Sequence, residues 1–226
     1  MMGWVDYDSH ARTRPREDLW GQVRRTVAGR PFPPEQIDMI VDAVVRQLAL
    51  KPDDVLLDLG CGNGALGCLL QPFCASSLGV DLSEYLIEVA DERFAAPGHR
   101  FVVADATTFC EEASDSGRFT KALAYGSLSY LGDDEVACML AGLAARFPAL
   151  TRVLLGNLPD PERVGQFQQA GLSLPLREAR SDLGIWRSAA EIAGLAAPGW
   201  TLTASVMPPA FLAAHYRFDA LLVRTS

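Results

Sequence analysis

The sequence predicts an α/β fold: a doubly wound, mostly parallel sheet of seven strands whose last strand runs antiparallel, with a helical lid segment ahead of it. Three observations carry this expectation. Short runs that are apolar on both faces, at 55–59, 78–80, 101–104, 122–125 and 153–155, alternate with stretches of helical spacing, as strands buried under helices on both sides require. The first of these runs ends in a glycine-rich turn. Two further strand-like stretches, 201–206 and 216–224, are joined by only about ten residues that include Pro208 and Pro209, too tight for a helical crossover, so this pair must be antiparallel.

The elements follow in order. Residues 1–33 form an arm unlike the rest, basic in an acidic chain, with Arg12, Arg14, Arg16, Arg24, Arg25 and Arg30 among the aromatics Trp4, Tyr7 and Trp20. Two placements stay open for it: a lid over a ligand site, or a solvated arm beside the sheet. Pro31, Pro33 and Pro34 break the chain, and residues 34–226 are expected to form one domain. Ile37, Ile40, Val41, Val44 and Leu48 then recur at helical spacing opposite Asp38, Asp42 and Arg46. After the first strand come a helical stripe at 66–70, the second strand, and a helix through Leu86, Ile87, Ala90 and Phe94 that Ser83 is placed to cap. Helix 133–147 separates the fourth and fifth strands.

Composition narrows the function. Twenty Lys and Arg against 28 Asp and Glu leave a net charge of −8, which repels polyphosphate and anionic membrane, so neither nucleic acid nor membrane is an expected partner. No apolar run approaches the roughly 18 residues of a spanning helix, and the N-terminus has no basic-then-apolar signal pattern, so a cytoplasmic protein, monomeric or homodimeric, is expected. Cys61, Cys68, Cys74, Cys110 and Cys138 show no C-x-x-C spacing for a metal or redox pair and read as buried free thiols.

The most informative segment is Val55-Leu56-Leu57-Asp58-Leu59-Gly60-Cys61-Gly62-Asn63-Gly64, a buried strand that ends in an acid and turns on alternate glycines. Glycine suits a turn with left-handed dihedrals and lets a ligand approach the backbone, and the amides that follow open a helix. About 20 residues on, Asp81 closes the second strand, where a carboxylate can accept both hydroxyl protons of a ribose. Asp105 ends the third strand. Acids at the carboxyl ends of three consecutive parallel strands share one sheet edge, the crevice where open α/β folds bind ligands. Gly62-x-Gly64-x-x-Gly67 also fits a dinucleotide fingerprint. Against that reading, Asp58-Leu59-Gly60-Cys61 intervenes between strand and first glycine, and an acid there would repel a pyrophosphate.

Asp58-x-Gly60-x-Gly62-x-Gly64, Asp81 and Asp105-Ala106 resemble the first three motifs of the class I S-adenosylmethionine-dependent methyltransferases, Rossmann-like enzymes, over roughly residues 50–226. The resemblance implies S-adenosylmethionine as cofactor. Asp58 and the loop of Gly60, Cys61, Gly62 and Gly64 would face its methionine part, Asp81 its ribose hydroxyls, Leu82 the flat of the adenine, and Asp105 with the Ala106 amide the adenine edge. Tyr125 would line the transferring methyl.

A sulfonium methyl is already electrophilic, so such an enzyme mainly aligns its acceptor and excludes water. A small-molecule acceptor, methylated on oxygen or nitrogen, is expected. Tyr125-Gly126-Ser127-Leu128 lacks the proline-containing loop of amino methyltransferases acting on bases, and no Pro-Cys nucleophile is present for cytosine. For a hydroxyl acceptor, His215 is the candidate base, with a structural role beside Tyr216 as the other reading. Tyr7, Trp20, Arg24, Asn157 and Tyr216 are the candidate acceptor contacts, with Arg24 or Arg25 placed to grip an anion, and Asp160 faces the same side. The stretch 161–200 is longer than one helix needs and has room for specificity. Alternatives are a nicotinamide-dependent oxidoreductase, a catalytically silent cofactor-binding subunit, or an aminopropyl transferase on the same fold.

Overall fold

A computed structural model describes residues 7–27, 29–168 and 183–225; Trp4 of the arm and residues 169–182 of the long stretch lie outside these. Seven strands form one sheet: β3 (Val55–Leu59), β4 (Ser76–Asp81), β5 (His99–Val103), β6 (Lys121–Tyr125), β7 (Arg152–Pro159), β8 (Trp200–Ser205) and β9 (Arg217–Arg224), in spatial order β5-β4-β3-β6-β7-β9-β8. Strands β3 to β7 are parallel, and β9 is antiparallel to both β7 and β8. The winding turns back between β3 and β6, which leaves a crevice outside their carboxyl ends.

Both faces are covered, as the two-sided apolar runs require. On one side Ile40, Val44 and Leu48 of α3 (Pro34–Leu48) bury against Leu56, Leu123 and Leu154. On the other, Val136, Met139 and Leu143 of α7 (Asp133–Arg146) meet Leu57, Ala122 and Val153, with Ile192 of α9 (Ala189–Leu195). Consecutive residues of β3 thus feed opposite cores, which is why that strand reads as a continuous apolar run. Helix starts follow their caps: Ser83 Oγ accepts from Leu86 N at 3.1 Å to open α5 (Glu84–Phe94), and Asp105 Oδ1 accepts from Thr108 N at 2.8 Å to open α6 (Ala106–Glu112).

Three local expectations are corrected. The third strand starts at His99, two residues ahead of the apolar run 101–104, and ends at Val103. Strand β7 extends beyond 155 to Pro159, with an irregularity between Leu155 and Leu158, so Asn157 lies within a strand; it takes φ +63° and its amide donates to Asp219 Oδ1 at 2.8 Å. Asparagine tolerates that conformation better than most residues. Cys138 is exposed and Cys68 half-exposed, whereas Cys61, Cys74 and Cys110 are buried.

The arm forms α1 (Tyr7–Arg12), α2 (Leu19–Gln22) and a two-stranded ribbon, β1 (Thr26–Val27) with β2 (Arg30–Pro31). It docks on α5: Asp8 Oδ1 accepts from Ser83 Oγ at 2.7 Å and Tyr85 N at 3.0 Å, and Arg16 reaches Glu88 at 3.2 Å and Glu92 at 2.5 Å. It also closes on the glycine turn, where Asn63 Nδ2 donates to Leu19 O at 2.8 Å and to Gln22 Oε1 at 2.9 Å. The arm is therefore packed over the sheet's carboxyl edge. No helix among the described residues is long and apolar enough to cross a membrane.

Candidate active site

The turn after β3 is held from two sides. Gly60 and Cys61 amides both donate to Val80 O, at 2.7 and 3.0 Å, and Gly62 N donates to Asp81 Oδ2 at 2.8 Å. Gly60 has φ +74°, and a Cβ there would lie 2.4 Å from Ser127 Cβ; Gly62 has φ +58° and would meet Val23 Cγ1 of the arm at 2.7 Å. No side chain fits at either position, for both backbone and space.

The acids stand where the strand ends put them. Asp58 is 5% exposed, and its carboxylate makes no hydrogen bond or ion pair among the described residues. Burial, and then the charge of Asp81, push its pKa up to about 7, opposed by Arg25. Asp81 uses both carboxylate oxygens, accepting from Ser83 N at 2.9 Å as well as from Gly62 N. Burial raises its pKa, and the amides of Ser83, Gly62 and Leu82 act against that rise. Asp105 is committed to capping α6, with Ala106 at the first helical position. Leu82 is 68% and Val103, beside Asp81 in the register, 48% exposed, so apolar surface lies uncovered next to these acids.

Across the β3–β6 crevice a cavity of about 110 Å³ opens between the arm and the sheet. The arm supplies Tyr7, Arg24 and Arg25, the loop after β6 Gly126, Ser129 and Tyr130, and the far side Asn157, Tyr216 and Arg217. Tyr7 is stacked edge-on against Tyr130 at 5.1 Å, with Arg24 5.6 Å from its ring. Tyr125 lies beneath Arg25: its ring lies so close over Gly156 that a Cβ there would meet it at 2.2 Å, the Arg25 guanidinium sits 4.9 Å from the ring centre, and its buried hydroxyl has no hydrogen-bond partner among the described residues. Arg217 donates to Asn157 O and covers the Tyr216 ring at 4.9 Å. The loop carrying Ser129 and Tyr130 is pinned by buried Arg187, which bonds Leu131 O at 2.7 Å, Leu128 O at 3.3 Å and Asp133 at 2.7 to 2.8 Å.

Of the residues picked from sequence, Tyr7, Arg24, Asn157 and Tyr216 thus meet in one wall, while Asp58, Gly60, Cys61, Gly62, Gly64, Asp81, Leu82, Asp105, Ala106 and Tyr125 lie along the carboxyl edge. Trp20 does not reach the wall; it packs with Phe32 against the α3 core. His215 is exposed, its ring 4.7 Å from that of Tyr216, and also lies outside the wall. Asp160 is engaged in its own turn, accepting from Glu162 N and pairing with Arg163 at 3.2 Å. Sequence reasoning missed Arg217 and Tyr130. The only signal was a cation or tyrosine at the boundary of an apolar run.

Comparison with known proteins bears on this geometry. A family model described as a methyltransferase domain matches residues 56–147. An uncharacterized methyltransferase from Schizosaccharomyces pombe is 34% identical over 76 residues, a stretch covering 32% of this chain and only 28% of that protein. Among solved structures, the cyclopropane synthase MmaA2 from Mycobacterium tuberculosis superposes with a TM-score of 0.64 at 15% identity, over 98% of this chain and 99% of that one. Geranyl diphosphate C-methyltransferase from Streptomyces coelicolor A3(2), in complex with Mg2+, geranyl diphosphate and S-adenosyl-L-homocysteine, does so with a TM-score of 0.60 at 16% identity, over 83% and 77%. The matched stretch 56–147 spans the glycine turn and all three acids and is similar there to a methyltransferase domain, and the strand order is that of the Rossmann-like fold these solved structures share.

Proposed function

We propose that the protein transfers a methyl group from S-adenosylmethionine to a small-molecule acceptor, on oxygen or nitrogen. The observation that carries this reading is the nearness of two half-sites: Val23, which lines the arm-covered cavity, stands against Gly62 of the glycine turn, and Arg25 of the same lining acts on the charge of Asp58. The edge fits an adenosyl sulfonium. Asp81 has lone pairs left for ribose hydroxyls after accepting two amides, Leu82 and Val103 offer an uncovered apolar flat, and Asp58 offers a carboxylate to the ammonium end. When bound, the cofactor supplies an electrophilic methyl group. The chain's part is to align the acceptor and keep water out, which the arm does by closing one side of the cavity. The aromatic rings and guanidinium groups of the wall are groups that can orient an acceptor. A solved relative in fold is named as a C-methyltransferase, which makes carbon acceptors part of any screen.

Titration calorimetry tests the cofactor half. Both S-adenosylmethionine and S-adenosylhomocysteine are expected to bind, and Asp81→Ala is expected to weaken binding by about 1 to 3 kcal/mol through lost charge-assisted hydrogen bonds. Unchanged affinity in that variant contradicts the ribose assignment. Labelled-methyl transfer into a metabolite extract tests the acceptor half.

A further inference from the structure

We infer that the acceptor is an anion, and that Arg25 and Arg217 grip its carboxylate or phosphate group. This deepens the methyl-transfer reading and rests on it only in treating the cavity as the acceptor's. The chain as a whole carries −8, yet Arg25 and Arg217 line the cavity with no acid beside them in its described wall. Buried or half-buried charge without a counter-charge is costly, and proteins rarely keep it without use.

The local bonding leaves donors unspent. Arg25 is fixed by its backbone, its amide donating to Trp20 O at 2.8 Å and its carbonyl accepting from Phe32 N at 3.0 Å. Its guanidinium lies over Tyr125, and among the described residues it makes no hydrogen bond or ion pair. The glycine at 126 makes room for it: a Cβ there would come within 3.5 Å of a guanidinium nitrogen. Arg217 gives one N–H to Asn157 O and rests on Tyr216, which leaves further donors of its fork unassigned. Two acids feel the charge of Arg25: Asp58, which makes no ion pair with it, and Asp219, which is occupied by Asn157 N at 2.8 Å and Gln47 Nε2 at 2.9 Å. Burial lowers the pKa of Arg25, and the charge of Arg217 lowers it further, so the two cations strain against each other. An oxyanion between two guanidinium planes relieves that repulsion and satisfies both forks, the pairing for which arginine geometry is suited. The rings of Tyr7, Tyr130 and Tyr216 around it suit a flat body.

The test is titration of the full chain, with and without saturating S-adenosylhomocysteine, using benzoate, phenyl phosphate and the neutral isostere benzamide, read by calorimetry or ligand-observed NMR. Benzoate or phenyl phosphate is expected to bind at least tenfold more tightly than benzamide, the better of the two identifying the carboxylate or the phosphate as source. Arg217→Gln and Arg25→Gln are each expected to lose tenfold or more of that binding, while S-adenosylhomocysteine affinity, which also reports the fold, changes less than threefold. Equal binding of benzamide, no saturable binding of either anion, or variants that bind anion like wild type overturns the inference. Arg25→Gln that loses S-adenosylhomocysteine affinity and keeps benzoate binding also overturns it, by assigning that arginine to the methionine carboxylate. If S-adenosylhomocysteine itself fails to bind, the methyl-transfer reading falls, and titration of the unloaded protein still decides whether the pocket takes anions.

Discussion

Asp58 sits at the tip of a buried strand with an acid neighbour and a guanidinium in reach but not in contact, and this placement ties its charge to stability. Its pKa is raised from 3.8 to about 7 in the folded chain, mainly by burial. An acid raised in this way favours folding when protonated, so the contribution is complete below about 3.8 and is lost as the pH climbs through about 7. Asp58→Asn keeps the shape without the charge. Its stability advantage over wild type is therefore expected to grow by roughly 2 to 3 kcal/mol between pH 5 and pH 8, read from denaturant midpoints at the two pH values. An advantage that stays constant would mean that the carboxyl is not protonated in the folded state. The same shift bears on the proposed cofactor contact. A cationic ligand prefers the ionised carboxylate, so S-adenosylmethionine affinity is expected to rise with pH across this window.

The arm and the glycine turn are joined by a small polar lock whose members carry unequal weight. Gln22 and Asn63 are both fully buried, and each supplies hydrogen bonds that the other side cannot replace: Gln22 also donates to Pro15 O at 3.2 Å. Gln22→Ala leaves the Asn63 amide short of an acceptor and is expected to cost about 1 to 3 kcal/mol in chemical denaturation. The pairs of Arg16 with Glu88 and Glu92 lie in solvent, so Arg16→Ala is expected to change stability less than Gln22→Ala does. A reversed ranking would mean that surface charge, not the buried lock, seats the arm. None of this lock was legible in the sequence, and the reason is physical. Strands and helices announce themselves because burial repeats along the chain: Leu56 and Leu57 alternate between two cores, and Ile40, Val44 and Leu48 share one stripe. Asp58, Asp81 and Asp105 were legible together because parallel strands bring like ends to one edge. The cavity wall is drawn from the arm, the loop after β6, Asn157 and residues 213–217, segments with no shared period. Asn157 shows the limit well. The strand that holds it continues through an irregularity fixed by a bond to Asp219, 62 residues away, which no local pattern reveals.

Because both cores share one sheet, and the arm is bonded to that sheet's loaded edge, the parts are expected to unfold together rather than in stages. Ligand binding at the edge must then be felt by the entire chain. A ligand present at 100 times its dissociation constant adds about 2.7 kcal/mol to a folded state that alone binds it. For a chain of this length each kcal/mol moves the midpoint by about 2 to 4 °C. Saturating S-adenosylhomocysteine is therefore expected to raise the melting temperature by roughly 5 to 10 °C. The rise should be equal by far-UV circular dichroism, which sees the sheet and helices, and by tryptophan fluorescence, which includes Trp20 in the arm. Reduced nicotinamide dinucleotide at the same concentration should leave the midpoint in place, since the acid at the end of β3 faces where its pyrophosphate would lie. Two separated transitions, with only the fluorescence change tracking the ligand, would show that the arm is an independent cover. Its bonds to Asn63 would then be too weak to make binding a property of the fold.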